Sequence, residues 1–155
     1  MRVAIGADHA GYELKETIKH TLDELRIAYK DFGTESEESV DYPDYASKVG
    51  KAVAAGEFDR GILVCGTGIG MAIAANKIPG VRAAPVVDLE SARLARSHNN
   101  ANVLALGARV TPAERALDLV RVFFKTEFEG GRHERRLNKV AALEQRVAVA
   151  APRSS

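Results

Sequence analysis

The sequence predicts an α/β fold: one five-stranded parallel sheet with helices on both faces, plus a helix at the C-terminus. Short apolar runs alternate with amphipathic stripes along the whole chain, and five strands separated by helices argue for a parallel sheet. At 155 residues the chain has the usual size of one domain and can bury a substantial core. It contains no internal repeat and no low-complexity linker, so residues 1–146 read as one domain and 147–155 as a flexible tail.

Each element has its own signal. "RVAIGAD" is a short apolar first strand. From Gly11 to about Arg26, Leu14, Ile18, Leu22 and Leu25 recur at helical spacing and form one apolar stripe. "IAYKDFG" is the second strand, closed by Gly33. The acidic "TESEESVDYPD" is a solvated loop, with Pro43 suited to the first turn of a helix that carries Tyr45, Val49 and Val53 and stops near Gly56. "RGILVC" is the third strand, and a glycine turn opens the helix through "MAIAANK", which Pro79 and Gly80 end.

"VRAAPVV" is a fourth strand, although Pro85 lacks the N–H that a central strand needs. Asp88 is placed to cap a helix from about Leu89 to Ser97, and "NVLALGA" is the fifth strand. Thr111, Pro112 and Glu114 form a capping-box pattern for a helix carrying Leu117, Val120, Phe124 and Phe128. Gly130 and Gly131 break that helix, and a last one carries Leu137, Val140 and Leu143.

Composition excludes several classes of function. The net charge of +1 provides no bulk attraction to nucleic acid or an anionic membrane, so anion binding must come from local clusters. The N-terminus lacks a signal-peptide pattern, and no apolar run is long enough to span a bilayer. The single cysteine cannot form an intramolecular disulfide, which fits a reducing cytoplasm. Neither Cys65 nor the histidines show a short ligand spacing such as C-x-x-C or H-x-x-x-H, so no metal is implied.

The stretch "ILVCGTGIGMAIAANK" carries the strongest chemical signal. Cys65 ends a strand, where a lone cysteine is commonly core packing. It also immediately precedes a glycine turn whose amides and following helix point back toward the sulfur. An ordinary thiol is a few per cent thiolate at pH 7, and a partly buried helix N-terminus supplies up to ~2 kcal/mol, just enough to make about half of it anion. "GTGIG" completes neither a dinucleotide fingerprint nor a phosphate loop, but its glycines form a nest for a phosphate or for an oxyanion formed during reaction.

Ligands on parallel sheets bind beyond the carboxyl ends of the strands. Asp8 and His9 follow strand one, Cys65 to Gly70 follow strand three, and Arg109 follows strand five, so these fall on one rim. His98 and Asn99 precede strand five and need a different route to that rim. Arg132 and Arg136 share a helix face in "GGRHERR", a pair suited to gripping phosphate or carboxylate and otherwise a solvated basic helix end.

"GADHAG", "VDYPDYA", "CGTGIGMAIAANK", "SHNNANVLALGAR" and "EGGRHERR" occur in this order. In that combination, over residues 1 to 146, the chain closely resembles the sugar-phosphate isomerase family shared by type B ribose-5-phosphate isomerases and galactose-6-phosphate isomerases. The resemblance implies a Rossmann-like, metal-free and cofactor-free enzyme, a homodimer or tetramer with active sites between subunits. It implies reversible conversion of ribose 5-phosphate to ribulose 5-phosphate in pentose phosphate metabolism, with a six-carbon sugar phosphate or a non-catalytic sensor role as the alternatives.

By the same resemblance, Cys65 is the base that moves the proton between C2 and C1 of the open-chain sugar. Thr67 and the amides of Gly66, Gly68, Ile69 and Gly70 hold the enediolate oxygen. His98 opens the sugar ring, Asp8 bonds the sugar, and Asn99 holds sugar hydroxyls or the enediolate. His9, Arg109, Arg132 and Arg136 bind phosphate, and Tyr42 forms a pocket wall. One branch of the family uses a glutamate after the glycine turn instead of the cysteine. Met71 stands at that position here, which marks the chain as the cysteine type.

Overall fold

The structure is a computed structural model that describes residues 1–150. Its strands are β1 (Arg2–Ala7), β2 (Ala28–Asp31), β3 (Arg60–Cys65), β4 (Ala83–Pro85) and β5 (Val103–Gly107). Its α-helices are α1 (Tyr12–Glu24), α2 (Tyr42–Ala54), α3 (Ile69–Ala75), α4 (Leu89–Ser97), α5 (Ala113–Lys125) and α6 (Arg132–Ala150). All four strand pairings are parallel, in the order β2-β1-β3-β5-β4. From β1 the chain steps to β2 on one side, and from β3 it passes to β4 at the opposite edge and back to β5, so its direction reverses between β1 and β3, the crevice where such sheets bind ligands.

The central strands β1, β3 and β5 read as nearly continuous apolar runs because both of their faces are covered. On one face Ile5, Ile62, Leu104 and Leu106 pack with Leu14, Ile18 and Leu22 of α1 and Leu119 and Phe123 of α5. On the other, Ala4, Leu63 and Val103 pack with Val49 and Val53 of α2 and Met71 and Ala75 of α3. The amphipathic stripe expected on the first helix is the buried face of α1. Pro43 sits in the first turn of α2, and Asp88 accepts from the Ser91 amide at the start of α4, both as expected.

Four details differ from the sequence reading. β4 is only three residues long and lies at the sheet edge, where Pro85 breaks no ladder on its outer side. The capping box does not form, because Pro112 occupies the cap position of α5 and the buried Thr111 hydroxyl has no hydrogen-bond partner among the described residues. α5 stops at Lys125 before reaching Phe128, since Thr126 turns to extended backbone and its carbonyl accepts from the Arg96 guanidinium. α6 continues to Ala150, into the stretch expected to be tail, and residues 151–155 lie outside the described residues. Among the described residues no helix is long and apolar enough to cross a membrane.

Candidate active site

The carboxyl ends of β1, β3 and β5 form one continuous rim. Past β1, the Asp8 carboxylate accepts from the Gly11 amide at 3.1 Å, and the Asp8 amide donates to the Val64 carbonyl of β3 at 3.1 Å. Gly11 must lack a side chain, because a Cβ there would meet the Val64 carbonyl oxygen at 2.4 Å. Nδ1 of His9 lies within hydrogen-bonding distance of both the Val40 amide, at 3.1 Å, and the Val40 carbonyl, at 3.2 Å, so Val40 holds the ring in either tautomer. Two residues after Val40, the Tyr42 ring lies on Gly70, so tightly that a Cβ on that glycine would meet Cζ at 2.8 Å.

Cys65 sits at the centre of this rim. Its Sγ accepts the Gly68 amide at 3.2 Å, and the residue is only 4% exposed. The turn after it needs glycine twice. Gly68 takes φ +81, and Gly107, level with Cys65 on β5, lies against the backbone of Thr67. The Thr67 hydroxyl accepts from the Ile69 amide at 3.2 Å and stays exposed. The Arg109 amide donates to the Gly66 carbonyl at 2.9 Å, and its guanidinium lies over Gly66. α3 has only seven residues, and the Gly68 amide that opens it is the hydrogen-bond donor to the sulfur.

The second group of candidates lies on the opposite rim. His98 ends α4, which runs antiparallel to the strands, and Asn99 follows it before β5 begins. β5 spans five residues, so about 16 Å separates that end from the level of Cys65. Arg132 and Arg136, both exposed, open α6 on the same rim, where the Glu129 amide donates to the Ser97 carbonyl at 3.0 Å. Thus Asp8, His9, Tyr42, Cys65 to Gly70 and Arg109 come together, whereas His98, Asn99, Arg132 and Arg136 form a separate group.

Three residues without an assigned role in the sequence reading organise that second group. Arg96, buried beneath the His98 loop, donates to Asn100 Oδ1 at 2.9 Å, the Ala101 carbonyl at 2.7 Å and the Thr126 carbonyl at 3.2 Å. Burial pushes its guanidinium down to about 10, with Arg60 and Arg82 adding to the effect. His133 stacks on His98 with ring centroids 4.1 Å apart and 13° between planes, and Glu129 lies 4.0 and 3.8 Å from the two Nε2 atoms. Burial lowers the His133 pKa below the ordinary histidine value; His98, Arg132 and Arg136 act in the same sense, and Glu129 opposes them. Sequence spacing could not reveal this cluster, because Gly130 and Gly131 take Glu129 off the helix that carries His133.

A groove of about 860 Å³ runs along β4 between the end of α3 and α6 and reaches Asn99. It includes none of Cys65, Gly66, Thr67, Gly68 or Arg109. The groove is lined mainly by apolar side chains, whereas the Cys65 rim gathers a thiol, a carboxylate, a guanidinium and backbone amides.

Comparison with known proteins follows the same lines. The sequence profile of the family described as Ribose/Galactose Isomerase matches residues 3–140. Ribose-5-phosphate isomerase B of Escherichia coli is 48% identical over 145 residues, covering 94% of this chain and 97% of that protein. The Clostridium thermocellum ribose-5-phosphate isomerase B structure superposes with a TM-score of 0.93 at 51% identity, covering 94% of this chain and 99% of that one. The Mycoplasma genitalium enzyme, solved with bound ribulose 5-phosphate, gives a TM-score of 0.90 at 42% identity, covering 93% and 96%.

Proposed function

The chain belongs to the ribose/galactose isomerase family, and from that premise we propose that it interconverts D-ribose 5-phosphate and D-ribulose 5-phosphate through an enediolate. The observation that carries the chemistry is Cys65 Sγ under the Gly68 amide, at the centre of a rim of hydrogen-bond donors. His98 opens the furanose by moving a proton at the ring oxygen, while Asp8 bonds the sugar. The Cys65 thiolate then removes the proton from C2. The C–H electrons form the C1=C2 double bond, and the carbonyl pair moves onto O1.

Thr67 and the backbone amides of the 66–70 turn hold that oxyanion. Each such donor is worth about 10²–10³ in rate. The thiol returns its proton to C1 as the O2 proton moves to O1, leaving a ketone at C2. Hydrogen moves within the substrate, so the reaction needs no redox cofactor, and we assign it no metal. His9, Arg109, Arg132 and Arg136 bind the phosphate at the unreactive end. Binding energy from that end positions the sugar for proton transfer.

One chain cannot bring His98 to its own Cys65, because the length of β5 separates their rims. We therefore infer a homodimer, or a pair of dimers, in which Cys65, Asp8, His9 and Arg109 of one protomer face His98, Asn99, Arg132 and Arg136 of its partner. A two-fold axis makes two such sites per dimer. A lone catalytic thiol is best preserved in reducing surroundings, and on that ground we read the enzyme as cytoplasmic.

The test uses two inactive variants, each assayed with ribose 5-phosphate in the presence of a chelator. Cys65→Ala and His98→Ala should each lose at least about 10² in kcat, as loss of a general acid or base does. After unfolding and refolding together, half of the dimers carry one intact site, so the mixture should recover about a quarter of wild-type activity. Near-wild-type turnover by Cys65→Ala would refute the role of the sulfur. Two inactive variants that never complement would refute the shared site.

A further inference from the structure

Beyond the isomerase chemistry, the geometry points to a transition-metal site formed by His98, Glu129 and His133, whose occupation by an ion such as Zn²⁺ blocks catalysis. The three ligand atoms, one from each side chain, lie within 4.8 Å of one another. Two imidazoles and a carboxylate form a ligand set typical of Zn²⁺, which takes three protein ligands and keeps a fourth position for water. Imidazole nitrogen also suits Cu²⁺ and Ni²⁺.

A second observation points to a ligand independently of that spacing. His133 is 7% exposed, and its Nε2 is buried with no hydrogen-bond partner among the described residues. Buried polar atoms in folded proteins nearly always find a partner. This one faces the gap beside His98 and Glu129, with Glu129 Oε1 at 3.8 Å, beyond hydrogen-bonding range. An ion in that gap would satisfy Nε2, as its present neighbours do not.

The scaffold holds the ligands near this arrangement. Gly130 and Gly131, at φ +71 and +59 with open space around both, turn the chain so that the first turn of α6 returns over His98. The Glu129 amide is tied to the Ser97 carbonyl, which fixes that loop beside the α4 terminus. Metal bonds of ~2.0–2.2 Å would draw the ligand atoms to about 3.3 Å apart. The nearly parallel rings must fan open to converge on one ion. His98 and Glu129, with side chains 38% and 53% exposed, are free to make that movement, while His133 stays fixed.

The effect on turnover rests on the reading of His98 as the ring-opening group, since a metal on its Nε2 removes that atom from proton transfer. Metal binding itself does not depend on that reading. The experiment titrates chelator-stripped, full-length protein with ZnCl₂ by calorimetry, and with CoCl₂ by visible absorption, which reports nitrogen and carboxylate coordination. In parallel, Zn²⁺ inhibition is measured on ribose 5-phosphate, with each variant normalised to its own metal-free rate.

Wild type should bind one Zn²⁺ per chain and lose activity in step with occupancy, with full recovery on adding EDTA. His133→Ala should weaken both binding and inhibition at least tenfold. Glu129→Gln, an exposed and nearly isosteric change, should weaken both in the same direction and stands in if His133→Ala does not fold. Zn²⁺ binding that is unchanged in both variants, or absent from folded wild type, overturns the proposal. His133-dependent binding to a protein without isomerase activity would refute the catalytic reading and leave the metal site standing.

Discussion

Replacing Gly107 by alanine tests whether the geometry of the 66–70 turn sets the rate. Gly107 lies level with Cys65 on β5. A Cβ there would meet the Thr67 carbonyl carbon at 2.5 Å and its Cα and oxygen at 2.6 Å, whereas ordinary contact begins at 3.4 Å. These neighbours are backbone atoms, so no side chain can swing aside. The turn must retreat by about 1 Å, and a displacement of that size at a reacting centre costs about 10²-fold in rate.

The retreat would pull the Gly68 amide off Sγ and move Thr67 from the oxyanion position. Overpacking of this kind also destabilises by about 1–3 kcal/mol, and at this chain length each kcal/mol lowers Tm by about 2–4 °C. The assay is kcat on ribose 5-phosphate beside a thermal melt, with Gly56→Ala as the control. Gly56 has φ +78 and nothing within 4 Å of a Cβ, so its substitution adds only left-handed strain, about 1–2 kcal/mol, far from the turn. The control should melt lower at unchanged kcat, whereas Gly107→Ala should lose kcat while folded. A folded Gly107→Ala with wild-type kcat would refute the reasoning.

Two further substitutions are informative. Arg136→Ala should raise KM for ribose 5-phosphate about 10- to 100-fold with little change in kcat, the loss of one charge-assisted hydrogen bond; an unchanged KM removes the residue from the phosphate site. Arg96→Met strips the donor from Asn100 Oδ1 and the Ala101 and Thr126 carbonyls, costing about 1–3 kcal/mol for each acceptor that water cannot reach. It should therefore lower both Tm and kcat by loosening the His98 loop, and a melt identical to wild type would count against it.

His133 predicts a pH dependence. Burial, with the charges of His98, Arg132 and Arg136, holds its folded pKa below the ordinary value, and Glu129 opposes them. The unfolded chain therefore binds more protons in that window. Stability should be fully present above about 6.5 and decline as pH falls from there toward the lowered folded value. Urea melts across that range should show the decline in wild type and a flatter profile in His133→Asn. Equal slopes would show that the residue does not contribute.

The elements were legible in the sequence because their causes are local. The Leu14, Ile18 and Leu22 stripe became the buried face of α1 because three- and four-residue spacing places side chains on one helix face in any context. Asp88 capped α4, and the glycines after Cys65 made a turn with an amide on Sγ, for equally short-range reasons. The placement of His98 before the fifth strand already indicated a separate route to the Cys65 rim. Only the fold decided what stands beside it: Arg96 beneath the loop, and Glu129 and His133 against the ring. Those contacts depend on where α5 ends and on the direction in which the paired glycines turn the chain. Thr111 marks the limit of local reading, since its capping pattern was present but Pro112 took the cap position. Periodicity and turn chemistry are written between neighbouring residues, whereas the rim to which a side chain is carried is set by strand order and by helices packed across the sheet.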